Sequence, residues 1–103
     1  MKYQAWYMRP DWFYSGITGR LPNAKDLTAT HVLLRTIETD KGLGDVFRKM
    51  QGENWSPAGE ARALIESKGL QHTSMSPGDV IVDDVGNAHV VANIGFKAIG
   101  GTR

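Results

Sequence analysis

The chain has 103 residues, 41% of them hydrophobic and 22% charged, which is the size and composition of one ordinary globular domain. Twelve basic and eleven acidic residues leave a net charge of +1, which excludes both a strongly acidic DNA mimic and a strongly basic polyanion binder. The lack of cysteine excludes disulfides, thiolate zinc sites and cysteine nucleophiles. The apolar runs are too short to span a membrane and residues 1–3 do not begin a signal peptide. We therefore expect one cytoplasmic domain, residues 1–103, with no membrane partner.

The start of the chain is predicted to form two strands separated by a loop. Residues 1–8 alternate tyrosines on one face with Trp6 on the other, so both faces are partly apolar, as in an inner strand. Residues 9–27 are interrupted by prolines and glycines, which predicts an extended, loop-rich segment with a functional role. Alternation over residues 30–39 predicts the second strand.

Two short helices are predicted next. Residues 43–50 carry apolar side chains at positions i, i+3, i+4 and i+7, which form one stripe of a helix. The second helix is predicted over residues 57–68, because Ser56 can cap the free amides and Pro57 suits the first helical position. Gly69 is expected to end this helix in a left-handed conformation.

After this helix, the spacing of the hydrophobic residues changes from a helical period to one of two residues, as in a strand. Residues 76–79 carry the Pro-Gly pair of a type II turn, and short strands are predicted over 80–82, 88–92 and 96–99. Residues 100–103 are expected to be a flexible tail. The order ββααβββ predicts an α+β domain, with a mainly antiparallel sheet of about five strands and two short helices on one face.

Two segments of the second half carry a recognisable signature. Residues 69–81 read GLQHTSMSPGDVI and residues 95–99 read GFKAI. They resemble the "H-S-L-S-x-x-D-V-I" and "G-F-K-x-[IL]" segments of the YodL-like family of small phage, plasmid and mobile-element proteins, with departures at Pro77 and residues 91–93. The resemblance covers residues 51–99, whereas residues 1–50 form an aromatic-rich part outside it. It implies an accessory protein that acts on a host component, and it brings no catalytic set.

The three histidines are the candidates for metal binding and acid–base chemistry. His31, His72 and His89 lack the spacing of a short metal motif, so we expect no metal and no cofactor. A His/Asp site that includes Asp79 is the alternative. Two serines lie close to His72 in sequence, but no Gly-x-Ser-x-Gly elbow accompanies them. An enzyme is therefore not expected, and a small hydrolase or nucleotide-binding enzyme using His72 and Asp79 is the third hypothesis.

Aromatic residues are concentrated at the start of the chain. Of the nine present, six lie within the first fourteen residues, and three consecutive ones cannot all face a core. Because Trp, Tyr and Arg most often anchor protein interfaces, this cluster predicts a binding surface, although a core strand with a self-packed loop remains the alternative. The candidate protein-binding residues are Trp6, Arg9, Trp12, Phe13, Tyr14 and Arg20, with Trp55, Glu60, Arg62, His72 and Asp79 as secondary candidates.

These observations favour a non-enzymatic accessory protein of a mobile element that binds a host protein or ribonucleoprotein complex and inhibits it by steric blockade. The most specific version is an inhibitor of a host defence system, of anti-CRISPR or antirestriction type. The second hypothesis is a small nucleic-acid-binding regulator, since rings interleaved with Arg9, Arg20 and Lys25 can stack on bases. The net charge of +1 weakens it, because phosphate contacts supply much of nucleic-acid affinity.

Overall fold

A five-stranded antiparallel sheet forms the centre of the protein. The computed structural model describes residues 1–56 and 58–103, with Glu53 described by its backbone alone. The strand order is β2-β1-β3-β4-β5, which confirms the predicted α+β class, the number of strands and the inner position of β1. The strands are β1 (Lys2–Met8), β2 (His31–Glu38), β3 (Val80–Val82), β4 (Asn87–Val91) and β5 (Phe96–Gly101).

Three short α-helices and two stretches of 3₁₀ helix accompany the sheet in the described ranges. They are α1 (Pro10–Ile17), α2 (Leu43–Lys49) and α3 (Arg62–Ser67), with the 3₁₀ stretches at Ala24–Ala29 and Glu53–Trp55. The 3₁₀ stretch Ala24–Ala29 is kinked, because Asp26 has non-helical backbone angles. Within the described part of the chain, no helix has the length and apolar character needed to cross a membrane.

The strands bury side chains on both faces of the sheet, as the alternation of a strand requires when both faces are covered. On one face, Tyr7 and Ile81 pack with Val46, Met50 and Ile65 of α2 and α3. This arrangement confirms that the two expected helices share a face. The opposite face packs against the kinked 3₁₀ stretch through the apolar residues Ala24, Leu27, Val80, Val82, Ala88 and Val90.

Helix α1 lies where the sequence predicted a loop, so that prediction was wrong. Pro10 was interpreted as a helix breaker, but it occupies the first helical turn, where its missing N–H costs nothing. Gly16 lies inside the helix, where the Met8 side chain packs so closely against it that a Cβ would clash with the Met8 Sδ atom. The helix ends at Ile17, and Gly19 follows its C-cap Thr18 with a φ of +103°, which suits glycine, and an N–H that donates to the Gly16 carbonyl.

Helix α3 begins later than the predicted residue 57, while its end was predicted correctly. Pro57 lies outside the described residues. The N–H of Ala61 donates to the Asn54 carbonyl and the N–H of Arg62 to the Gly59 carbonyl, so turns replace the expected first helical turns. Gly69 has a φ of +71° and follows the helix as predicted.

The type II turn before β3 is confirmed, but the flexible tail is not. The Asp79 N–H donates to the Ser76 carbonyl across the turn at 3.0 Å. At the end of the chain, Gly100 and Gly101 belong to β5, and the Thr102 hydroxyl donates to the Gly86 carbonyl at 2.9 Å. Backbone pairing with β4 and this hydrogen bond therefore hold the segment that was expected to be loose.

Substitution of Gly78 by alanine is expected to destabilise the protein strongly. Gly78 has a φ of +99°, and an added Cβ would lie 2.5 Å from the Met8 Sδ atom and 2.8 Å from the Gly16 carbonyl carbon. The matched control is Gly19→Ala, because Gly19 has a φ of +103° and an added Cβ meets nothing described within 4 Å. We expect Gly19→Ala to cost about 1–3 kcal/mol from backbone strain, and Gly78→Ala to cost a further 1–3 kcal/mol or so from overpacking. Equal denaturant midpoints for the two variants would contradict this packing.

Candidate functional site

The carboxylate of Asp79 lies fully buried between the end of β1 and the turn that begins β3. Its Oδ1 accepts the backbone N–H of Met8 at 2.8 Å, and its Oδ2 accepts the backbone N–H of Ser76 at 2.8 Å. A buried carboxylate is stable only when its oxygens have such partners. Asp79 therefore joins two chain segments that are distant in sequence.

His72 is the side-chain partner of Asp79. Its Nε2 lies 2.8 Å from Oδ2 and 3.0 Å from Oδ1 of that carboxylate. The imidazole stacks on the Tyr7 ring at 4.7 Å with an interplanar angle of 12°, and the Phe13 ring approaches it at 4.9 Å. The Tyr7 hydroxyl donates to the Thr73 carbonyl at 2.9 Å, and burial raises the pKa of this phenol well above its usual value. The imidazole is thus fixed in position and orientation.

A cleft of about 240 Å³ opens beside this imidazole. Pro10 and Phe13 of α1 form its apolar walls, and Gln71 and His72 complete its lining. Helix α1, which the sequence analysis missed, therefore builds half of the cleft.

His31 is buried next to the same turn and serves the structure. Its Nε2 lies 2.8 Å from the Gly78 carbonyl oxygen, to which it donates, and its Nδ1 accepts from the Thr30 hydroxyl at 2.6 Å. This pattern corresponds to a neutral imidazole, which has one donor and one acceptor nitrogen. Burial lowers the pKa of His31, because it disfavours the charged form.

The remaining polar candidates do not join the His72–Asp79 pair. The Ser74 hydroxyl donates to the Trp55 carbonyl at 2.7 Å and the Ser76 hydroxyl to the Ser74 carbonyl at 3.1 Å, so neither is directed as the nucleophile of a triad. His89 lies apart, with its Nε2 3.2 Å from Asp83 Oδ2. Within residues 1–56 and 58–103, no group of three or more His, Asp or Glu side chains is arranged to hold a metal ion.

The predicted N-terminal cluster does not form one surface. Trp6 is half-buried on the sheet face that carries the kinked 3₁₀ stretch, and its Nε1 donates to Gln4 Oε1 at 3.0 Å. Arg9 donates to the Thr28 carbonyl at 3.1 Å, and Phe13 faces the His72 imidazole. These three candidates therefore already have intramolecular partners.

The rest of the cluster lies on α1 and just beyond it. Tyr14 is 77% exposed, which confirms that at least one of the three consecutive rings faces solvent. Trp12 is half-buried, and the Arg20 guanidinium lies over its ring at 4.9 Å from the centroid. This contact fixes the orientation of both side chains relative to α1.

The secondary candidates are scattered. Trp55 is 5% exposed and packs in the core, where its ring lies 6.3 Å from that of Tyr7, so it cannot contact a partner in this conformation. Glu60 is exposed. Arg62 is also exposed and pairs with Glu66 at 2.8 Å one helical turn away.

An apolar surface that the sequence analysis did not identify lies beside α1. Tyr14 and Ile17 lie three positions apart and therefore on the same side of the helix, and Leu21 follows the helix. Ile17 is 37% exposed and Leu21 is 43% exposed. Ile17 and Leu21 line a groove of about 170 Å³ together with Asn93 of the turn between β4 and β5. The next residue of that turn, Ile94, is 94% exposed and, like Tyr14, lies outside the groove lining. We refer to Tyr14, Ile17, Leu21 and Ile94 as the α1–hairpin patch. Its signal in the sequence was an isoleucine between Asn93 and Gly95, where a tight turn usually carries polar residues.

Replacement of Asp79 by asparagine is expected to lower the free energy of unfolding by about 2–4 kcal/mol. The amide offers a single accepting oxygen, so its NH₂ group must face the N–H of either Met8 or Ser76, and one buried donor loses its partner. Chemical denaturation measures the loss. Asp84→Asn, on an exposed carboxylate five residues away, is the control and is expected to change stability by no more than about 0.5 kcal/mol. Equal stability of the two variants would contradict this role of Asp79.

Acidification below pH 6.5 is expected to destabilise the protein through His31. Because burial holds the pKa of His31 below its usual 6.5, the unfolded chain takes up a proton that the folded chain does not. The free energy of unfolding therefore falls as the pH drops through this range, by at most about 1.4 kcal/mol per pH unit from this group. Denaturation curves at several pH values measure the slope. His31→Gln, which keeps a neutral donor near the Gly78 carbonyl, is expected to flatten it, and an unchanged slope would contradict the assignment.

A scan against protein-family models found no match for this chain, and searches of the curated proteins and of the solved structures found no similar protein. The resemblance of residues 51–99 to the YodL-like family therefore stays a prediction.

Proposed function

We propose that this protein is a non-enzymatic binding module of a phage or other mobile element that uses the α1–hairpin patch to occupy a surface of a host protein or ribonucleoprotein complex. Inhibition is steric, because the bound module covers a surface that the target needs for nucleic acid, for a partner subunit or for a conformational change. A host defence complex in the bacterial cytoplasm is the most specific target.

The observation that carries the proposal is a groove lined by the exposed apolar side chains Ile17 and Leu21 and by residues 90–93, next to which Ile94 is also exposed. A single exposed aliphatic residue needs no explanation, but several that converge on a concave surface are typical of interaction sites. Ile94 is 94% exposed at the tip of a turn, where it contributes little to the core. Its exposure favours contact with a partner.

The polar residues around the groove add a preference for one kind of partner surface. Arg20 and Lys97 both line the groove, and Arg20 is held over the Trp12 ring. The groove thus combines apolar side chains with two cations, and this combination favours a protein surface that presents an apolar side chain flanked by carboxylates or backbone carbonyls. Because the groove holds only these two cations among the described residues, it offers weak support for a nucleic-acid backbone.

The resemblance of residues 51–99 to the YodL-like family supports the mobile-element origin. Those residues contribute α3, the Asp79 turn and the β4–β5 turn to the fold. In this proposal the segment with the resemblance supplies the scaffold and Ile94, whereas residues 1–50 supply the rest of the binding surface.

The test is capture of a target from bacterial host lysate with tagged wild-type protein and with the variants Tyr14→Ala and Ile94→Ser. Both variants are expected to reduce the amount of captured target at least about fivefold while leaving the thermal midpoint nearly unchanged, because both side chains are mostly exposed. Quantitative mass spectrometry of the eluates, with and without nuclease treatment, provides the measurement.

Val85→Ser is the matched control. Val85 is also an exposed aliphatic residue, 67% accessible, but it lies in the turn between β3 and β4, at the opposite end of β4 from Ile94. A target that Val85→Ser captures and Ile94→Ser loses supports the patch. The same target captured equally by all four proteins, or lost completely after nuclease treatment, would contradict the proposal.

A further inference from the structure

We propose that the cleft beside His72 binds a neutral phenol, with His72 Nδ1 as the acceptor for the phenolic hydroxyl. This site shares no lining residue with the α1–hairpin patch and does not depend on it. The phenol ring is either that of a free small molecule or that of a tyrosine side chain.

The hydrogen-bonding state of His72 determines what its free nitrogen can do. A carboxylate only accepts hydrogen bonds, so the Nε2 that contacts Asp79 carries the proton in the neutral imidazole. Nδ1 is then an acceptor, and none of the described residues donates to it. A ligand that brings an O–H or N–H donor to this atom therefore gains a hydrogen bond that a purely apolar ligand lacks.

The walls of the cleft require the rest of the ligand to be apolar. Pro10 and Phe13, three positions apart on α1, supply its apolar lining, and the Phe13 ring lies 4.9 Å from the imidazole. A cavity of about 150 Å³ is sufficient to hold benzene in a protein. At about 240 Å³ the cleft has room for one aromatic ring and a small substituent.

The remaining lining disfavours anionic ligands and aliphatic alcohols. Among the described residues that line the cleft, His72 is the one titratable group, so no fixed cation is present to neutralise a carboxylate or phosphate. Gln71 supplies a neutral amide as a second polar contact. A planar ring matches the faces of Pro10 and Phe13 better than a flexible chain does.

The imidazole is also preorganised for this role. Asp79 holds Nε2 and the Tyr7 ring covers one face, so binding does not need to immobilise the acceptor.

The test is a titration of the full-length protein with p-cresol and with toluene, which differ by one hydroxyl, followed through the His72 ring resonances by NMR. We expect saturable shifts with p-cresol and binding about tenfold weaker with toluene, the value of one hydrogen bond. N-acetyltyrosine amide distinguishes the two sources: its binding supports a tyrosine side chain, and binding of p-cresol alone supports a free phenol. Absence of saturable shifts with p-cresol, or equal affinity for p-cresol and toluene, would overturn the proposal.

Variants separate this site from the rest of the molecule. His72→Phe keeps the ring stack and removes the acceptor, so it is expected to abolish the preference for p-cresol. Because this variant also deprives Asp79 of its side-chain partner and risks unfolding, Phe13→Ala provides a second test: it removes one wall and is expected to weaken p-cresol and toluene together. Tyr14→Ala, on the adjacent exposed position of α1, is expected to leave both affinities unchanged. Loss of p-cresol binding in Tyr14→Ala and its retention in Phe13→Ala would overturn the placement of the site.

Discussion

The fold depends on satisfying one buried carboxylate. Asp79 accepts backbone N–H groups from Met8 at the end of β1 and from Ser76 in the turn before β3, and it also holds the His72 imidazole. These bonds fix the position of the chain entering α1 and the position of the segment that follows α3. Both the α1–hairpin patch and the cleft lie on elements that these bonds position. The geometry of the two proposed sites therefore depends on the Asp79 carboxylate, although this group contacts neither the proposed partner nor the proposed ligand.

The sheet could be predicted because its signal is local. Aromatic content, alternation and short apolar runs between turn residues identified all five strands, and the Pro-Gly pair at residues 77–78 identified the turn before β3. Helix α1 could not be predicted in this way. Proline is common both in loops and in the first turn of a helix, and glycine is common both in loops and at close contacts between elements, so Pro10 and Gly16 did not distinguish a helix from a loop. What distinguishes the two cases is the Met8 side chain against Gly16, a contact between elements that no sequence pattern contains.

The candidate site was predictable in its parts and not in its arrangement. His72, Asp79 and Phe13 were all candidates from the sequence, but as members of different hypotheses: two as a weak enzyme site and one as an interface residue. The structure brings them together, because α1 turns Phe13 toward the imidazole. The aromatic residues predicted to form one interface lie instead on different surfaces, with Trp6 on one face of the sheet and Tyr14 exposed to solvent. Sequence reasoning correctly expected exposed rings, and it could not assign them to surfaces without the missing helix.

The two faces of the sheet have very unequal cover. Two helices pack over one face, whereas on the other Ala24 and Leu27 of a kinked 3₁₀ stretch provide the cover, with Trp6 and Ile99 of the sheet packed beside them. Because the kinked 3₁₀ stretch is held by few apolar contacts, its detachment from the sheet costs less free energy than the detachment of the packed helix pair. We therefore expect transient opening to begin on the side of the 3₁₀ stretch and to expose the valines of β3 and β4 while the hydrogen bonds of Asp79 remain intact.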